Sequence, residues 1–279
     1  ADDKAQTIEV QWAGHVEQER NLSSTIKTRS TELTVQERLV IPRRAVRDSN
    51  ADSGGGRSDY ELLHVIGRGG EGVVHAARQA SIDRTVALKM IREGAATDHT
   101  SRQKFLSEAV VTGELEHPNI VPIYDLGTTN DGSLFYVMKR IQGTPWSEVI
   151  HRTPLNDNIN ILMRTADAVA LAHSRGVVHR DLKPENVMLG DFGEVLLTDW
   201  GIALCTEQFA KRNSVVLASG LGGTPAYMAP EMATGPLPTI GPAADIYLLG
   251  AILYQIVTGK PPHHADTVME CLHAAAKNE

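Results

Sequence analysis

The stretch HRDLKPENVMLGDFGEVLLTDWG, residues 179–201, concentrates groups that could do chemistry together. It sets a carboxylate at Asp181, an ammonium at Lys183, an amide at Asn186 and a second carboxylate at Asp199 around two apolar runs, 187–189 and 195–197. Residues 190–194 between the runs have the composition of a tight turn, so the runs read as a hairpin. A hairpin brings Asn186 and Asp199 side by side at its open end. An amide oxygen beside a carboxylate, with no thiol or imidazole, is a hard-oxygen site suited to Mg²⁺, with phosphate oxygens completing the shell. Asp181 lies near that pair without belonging to it, which leaves it to accept a proton from a hydroxyl.

Strands and a helix must carry further charged groups to this stretch. Residues 60–66, 73–78 and 85–91 read as three strands, with a turn at 81–84. Between the first two lies GRGGEGVV, residues 67–74, whose glycines let backbone N–H groups approach phosphates with no Cβ in the way. The glycines lead into a strand rather than a helix, which disfavours a dinucleotide-binding turn. Lys89 falls inside an apolar strand, where an unpaired ammonium is costly, so it requires an anion. Residues 101–115 have helical periodicity, with Phe105, Leu106, Ala109, Val110 and Leu115 on the apolar side and Glu108 beside it. Residues 120–124 and 134–138 read as strands. Residues 158–175 read as an amphipathic helix ended by Gly176, with His173 at its core or boundary. Residues 242–258 read as a buried helix whose apolar run is too short to cross a bilayer, which needs roughly 20 residues.

HRDLKPEN followed by DWG resembles the catalytic and metal-binding loops of the protein kinase superfamily, in particular its eukaryotic-like (Hanks-type) Ser/Thr members. The triplet Asp191-Phe192-Gly193 spells the family's metal-binding motif, but it falls in the turn, too soon after Asn186 for a strand to intervene. Asp199 follows a full strand and is the expected metal ligand. The resemblance extends over about residues 60–260 through the Gly-rich loop, the VALK lysine, the GGTPAYMAPE segment at 222–231 and Asp245. It implies an α+β, two-lobed fold: a small antiparallel β-sheet lobe with one helix over residues 59–138, then a hinge and a larger, mainly helical lobe over 139–279, incomplete at its C-terminal end.

The resemblance also implies transfer of the γ-phosphoryl group of ATP to Ser/Thr hydroxyls of protein substrates, the chain itself among them. Asp181 would orient the acceptor hydroxyl and take its proton, and Lys183 would steady the γ-phosphate. Asn186 and Asp199 would hold Mg²⁺, with Mn²⁺ as the alternative ion, and Lys89, fixed by Glu108, would grip the α- and β-phosphates. The nucleotide would lie among Gly67, Arg68, Gly69, Gly70, Gly72, Val74, Ala87, Met138, Ile141 and Met188, with Met138 in the gatekeeper place and Lys139 where the family often has an acid. His179 would pack on Trp200, Thr224 would bridge Asp181 and Lys183, and Asp245 would anchor the catalytic-loop backbone. Arg180 implies regulation by phosphorylation of the segment after Gly201, with Ser214 and Ser219 as candidates. DWG and the GTPAYMAPE stretch look most like bacterial members, many of which continue into a membrane span. The second reading is a pseudokinase, a nucleotide-binding or scaffolding domain. Trp200, Lys139 and the short large lobe favour it, whereas the presence of Lys89, Glu108, Asp181, Asn186 and Asp199 opposes it.

Composition sets the remaining bounds. The 279 residues are 42% hydrophobic and 22% charged, an ordinary globular balance, and a net charge of −7 disfavours a general nucleic-acid binder. Cys205 and Cys271 have no metal-like spacing and read as free thiols in a reducing compartment. No membrane segment is expected, and the location is expected to be cytoplasmic, including as the cytoplasmic part of a longer anchored protein. Residues 1–58 are polar, end in a Gly/Ser-rich linker and are expected to be disordered. The alternative is a docking segment built on Leu33, Val35, Leu39, Val40 and Ile41, and Thr25, Thr28, Thr31 and Thr34 are candidate phosphoacceptors. His263 and His264 read as loop polarity.

Overall fold

The computed structural model of the chain describes residues 8–10, 39–49, 58–69, 72–92, 94, 98–213, 215 and 221–278. A six-stranded sheet forms the first lobe. Its strands are β2 (Val46–Asp48), β3 (Tyr60–Arg68), β4 (Gly72–Gln79), β5 (Arg84–Ile91), β6 (Ile123–Thr128) and β7 (Leu134–Met138), in the order β2-β3-β4-β5-β7-β6. All neighbours are antiparallel except β2 and β3. An earlier strand, β1 (Ile8–Val10), pairs outside this sheet. Alternation of side chains gives the sheet two apolar faces. Tyr60, Ala77, Val86, Leu88, Phe135 and Val137 cluster on one of them. On the other, Ile91, Leu134 and Tyr136 meet Phe105, Leu106 and Ala109 of helix α1 (His99–Glu114). Asp98 caps α1 by accepting the Ser101 amide at 2.8 Å.

The expected strand at 120–124 is displaced to 123–128. Pro122 has no amide to give a ladder, and the residues before it serve another purpose. Asn119, Ile120 and Val121 lie along the strand Val195–Leu197 of the second lobe, with Val121 N donating to Leu197 O at 3.1 Å and Leu197 N to Asn119 O at 2.8 Å. This stitch joins the end of α1 to the hairpin that carries the reactive stretch.

The expectation of disorder over 1–58 does not hold for residues 39–49. Leu39 and Ile41 pack against the α1 face of the sheet, Arg44 pairs with Asp125 at 3.0 Å, and β2 adds to β3. The apolar residues of an otherwise polar segment are what make docking worthwhile, as the alternative reading supposed, although Val40 points outward. Leu33, Val35 and the four threonines lie outside the described residues.

Helices α2 (Leu155–Ser174) and α5 (Pro242–Thr258) organise the second lobe. They pack around Trp146, Val169, Val187, Leu197, Trp200, Leu248 and Ile252. The hairpin β10 (Val187–Gly190) and β11 (Val195–Leu197) forms as expected, and β8 (Gly143–Pro145) adds to its outer edge. Strand β9 (Val177–Val178) pairs with β12 (Leu204–Cys205). The segment after Gly201 contains helix α3 (Glu207–Asn213), whose Phe209 and Ala210 are buried and whose Lys211 pairs with Glu207 one turn back. Then come β13 (Leu221–Gly223), α4 (Pro230–Thr234) and α6 (Val268–Lys277). Strand β1 pairs antiparallel with β13. His263 is a buried tie rather than loop polarity, its Nε2 lying 3.1 Å from both Tyr247 Oη and Met228 O.

Candidate active site

Strand alternation puts Lys89 on the α1 face of the sheet, in register with Tyr136 of β7. Its ammonium meets both oxygens of Glu108 at 2.7 Å, and Tyr136 Oη donates to Glu108 Oε1 at 2.8 Å. Glu108 is buried, so this pair answers the anion requirement of a lysine in an apolar strand. Breaking such a pair by removing one charge costs about 3–5 kcal/mol, because the other is stranded.

The second group of charges is built on the loop before β10. Arg180 adopts a left-handed backbone, φ 67°, which is uncommon for a residue with a side chain. It is held there by Asp245 of α5, whose fully buried carboxylate accepts the amides of His179 at 2.8 Å and Arg180 at 2.9 Å, while His173 Nε2 lies 2.7 Å from the same carboxylate. Arg180 Nε donates to Ile202 O at 2.7 Å, and the His179 ring lies over the Trp200 ring with centroids 4.5 Å apart. The loop so fixed presents Asp181. Thr224 donates its hydroxyl to Asp181 Oδ1 at 2.6 Å and accepts from Lys183 Nζ at 2.8 Å, and Lys183 lies 3.1 Å from Asp181 Oδ2. Gly223, at φ 136°, brings the chain in so closely that a Cβ would stand 3.0 Å from Arg180 O.

Asn186 donates its amide to the backbone oxygen of Asp181 at 2.8 Å and to Oδ2 at 3.2 Å, which orients its own side-chain oxygen the other way. Thr198 donates N–H and hydroxyl to Asn186 O at 2.9 and 3.0 Å, closing the open end of the hairpin. Asp199 follows at φ 62° with an exposed carboxylate. A divalent cation fits this donor set: an amide oxygen and a carboxylate at the mouth of the hairpin, both hard ligands, with no group of three or more His, Cys, Asp or Glu side chains competing for a metal among the described residues. The literal Asp191-Phe192-Gly193 sits at the far end of the hairpin, where Gly190 N donates to Glu194 O at 2.9 Å and Phe192 is 93% exposed.

The expected nucleotide residues divide between the two lobes. Gly67 and Arg68 end β3, Gly69 N donates to Gly72 O at 2.9 Å, and Gly72 begins β4. Gly72 passes so near β5 that a Cβ would meet Met90 O at 2.6 Å. Gly70 lies outside the described residues, as do Ser214 and Ser219. Val74 pairs with Lys89 and Ala87 with Met138 in the ladders. Met188 is on β10 in the second lobe, and Ile141 is half-buried on the connection between lobes. Lys139 forms an ion pair with Glu194 of the hairpin turn. This explains a cation at that place: it ties the connection to the hairpin.

Three participants were not legible in the sequence. Tyr136 was one residue of the strand read at 134–138, His173 read as a core or boundary residue and His263 as loop polarity, because each has its partner 16 or more residues away. A cavity of about 470 Å³ bordered by His173, Val177, Cys205, Leu237 and Ile240 contains none of the expected nucleotide residues. Burial pushes the Cys205 thiol up to about 12, so it is not a nucleophile at neutral pH. Neither cysteine is in a disulfide, and both are buried.

The family described as protein kinase domain matches residues 60–278. The chain is 37% identical over 239 residues to serine/threonine-protein kinase PknD of Protochlamydia amoebophila, covering 76% of this chain and 24% of that protein. It is 37% identical over 219 residues to serine/threonine-protein kinase pkn3 of Myxococcus xanthus, 75% of this chain and 39% of that one. It is 37% identical over 216 residues to serine/threonine-protein kinase PrkC of Bacillus subtilis, 75% and 32%. The chain thus spans well under half the length of each of these curated relatives.

Proposed function

The chain belongs to the protein kinase family, as a bacterial Hanks-type Ser/Thr member, and on that premise we propose that it transfers the γ-phosphoryl group of ATP to serine and threonine hydroxyls of proteins. The family uses ATP and a divalent metal; Mg²⁺ is proposed as the physiological ion, with Mn²⁺ able to replace it.

The observation that carries this reading is the joining of Asp181, Lys183 and Thr224 by three contacts of 2.6–3.1 Å beside Asn186 and Asp199. Asp181 takes the role of proton acceptor. Thr224, Lys183 and Asn186 hold that carboxylate in place, so that it faces an acceptor hydroxyl in a fixed orientation. Lys183 sits where negative charge develops during transfer and offsets it. Lys89, kept straight by Glu108, grips the α- and β-phosphates over the glycine-rich turn. A cation between Asn186 and Asp199 would neutralise phosphate charge. Thr224 ties the peptide-side segment 221–231 to the catalytic carboxylate, so an acceptor laid along that segment has its hydroxyl aimed at Asp181.

Regulation by phosphorylation of the segment between Gly201 and Thr224 is part of the proposal. Arg180, buried next to Ile202, would be the group whose surroundings such a phosphate reorganises. Self-phosphorylation is included. No helix among the described residues is long and apolar enough to cross a membrane; a cytoplasmic location for this domain follows from its need for ATP.

The test is ATP-dependent phosphorylation of the chain itself and of a basic carrier protein, with Asp181→Asn alongside. Wild-type transfer with Mg²⁺ that falls on the order of 10³-fold in Asp181→Asn supports the reading, the loss being that of a general base. Nucleotide that stabilises the fold with no transfer by wild type would favour the pseudokinase instead.

A further inference from the structure

The Glu108 carboxylate is held from two sides. Lys89 occupies both oxygens at 2.7 Å, and the Tyr136 hydroxyl donates to Oε1 at 2.8 Å. The Lys89 ammonium also lies 5.6 Å from the centre of the Tyr136 ring and 5.9 Å from that of Phe105, at the outer reach of cation–π attraction. Tyr136 therefore touches both members of the ion pair, one with its hydroxyl and the other with its ring. Packing alone does not account for the hydroxyl, since phenylalanine would fill the same apolar space among Phe105, Leu106, Ala109 and Leu134.

The cluster around Tyr136 is covered by a segment distant in sequence. Leu39 and Ile41 lie against it. They are pinned there by hydrogen bonds from Thr128 N to Pro42 O at 3.0 Å and from Arg44 N to Thr128 O at 2.8 Å. Arg44 Nε and Tyr60 Oη both donate to Asp125 Oδ2, at 3.0 and 2.8 Å, and β2 joins the sheet immediately after.

We infer that Tyr136 is a positioning residue for phosphoryl transfer, fixing Glu108 on Lys89, and that residues 39–49 brace the packing from which it does so. The reason is mechanical. Helix α1 meets the sheet through side chains only, and the lysine that reaches for it has a flexible four-carbon stem. Tyr136 has two side-chain torsions and stands on β7, laddered to β5 and β6. It registers the Glu108 carboxylate against the sheet in a way that lysine cannot. The brace in turn ties α1 geometry to the N-terminal segment, so displacement of that segment lowers catalysis without touching a catalytic residue.

This inference rests on the kinase reading, and its test has one readout that needs no turnover. In the full chain, trace acetic anhydride labels lysines, and mass spectrometry compares Lys89 with the exposed Lys211 and Lys260 as internal standards. Tyr136→Phe is expected to speed Lys89 labelling about tenfold, the effect of losing a hydrogen bond to a charged group, and to leave the standards unchanged. Ile41→Asp is expected to act in the same direction. Labelling of Lys89 at the wild-type rate in Tyr136→Phe would overturn the positioning role. A wild-type rate in Ile41→Asp, with Tyr136→Phe raised, would overturn the brace. Should Ile41→Asp fail to fold, Arg44→Met, which cuts the tether to Asp125, takes its place. The kinetic counterpart is a kcat lowered about tenfold in Tyr136→Phe with KM for the protein acceptor unchanged, taken per folded enzyme so that a general loss of stability is not counted. An inactive wild type with the labelling pattern intact would sink the kinase reading, and the role in phosphoryl transfer with it, while leaving the hold of Tyr136 on Glu108 and Lys89 in place.

Discussion

The buried carboxylate of Asp245 accepts the backbone amides of His179 and Arg180 at 2.8 and 2.9 Å, from 66 and 65 residues away in sequence. One helix thereby dictates the backbone of the loop that presents Asp181, including the left-handed turn at Arg180. Replacing Asp245 by alanine strands two buried amide donors at roughly 1–3 kcal/mol each, so a loss of about 2–6 kcal/mol is expected in urea unfolding. His173, 2.7 Å from the same carboxylate, loses its partner too. A change below about 1 kcal/mol would mean that the loop holds its shape without the helix.

Thr224 separates two possible sources of organisation at the site. Its hydroxyl links Lys183 to Asp181, whereas its methyl has no charged partner. Thr224→Val should lower kcat about tenfold, and Thr224→Ser should retain most of it, because one hydrogen bond to a charged group is at stake. Equal loss in both variants would point to packing rather than to the hydroxyl.

The two Asp-aromatic-Gly triplets give opposite expectations. Asp199 stands beside Asn186 at the mouth of the hairpin, and Asp191 at its exposed tip. Asp199→Asn should reduce transfer at least about 100-fold, the scale of removing an electrostatic contact to the transferring group. Asp191→Asn should leave transfer unchanged. The reverse order in a Mg²⁺-dependent assay would reassign the metal site to the tip.

His75 on β4 makes the sheet sensitive to acid. Burial, reinforced by Arg68, holds its pKa below the ordinary value of 6.5, against the pull of Asp48. The unfolded chain binds this proton more readily, so stability rises with pH through the unfolded value. The contribution is fully present above about pH 6.5 and is lost as the pH falls toward the lower folded value. The urea midpoint should therefore drop more between pH 7.5 and 5 in wild type than in His75→Asn. Parallel curves for the two would remove His75 as the cause.

Local physics made much of this chain legible in advance. The hairpin at 187–197, the strands flanking the glycine-rich turn and the Glu108 face of α1 follow from period, turn composition and spacing, each within some twenty residues. The two lobes were readable through the resemblance of HRDLKPEN and DWG to the protein kinase family rather than from period or spacing. Other features depended on partners that a linear reading does not bring near. Residues 39–49 look like a polar tail until the α1 face of the sheet offers Leu39 and Ile41 a surface. The strand at 123–128 starts late because residues 119–121 are needed against β11. Tyr136 and His173 acquire roles only when Glu108 and Asp245 arrive beside them. Sequence alone thus determined which residue types stand on which local elements. Tertiary structure decided which buried polar groups share a carboxylate, because a buried donor must find its acceptor wherever the fold has put one.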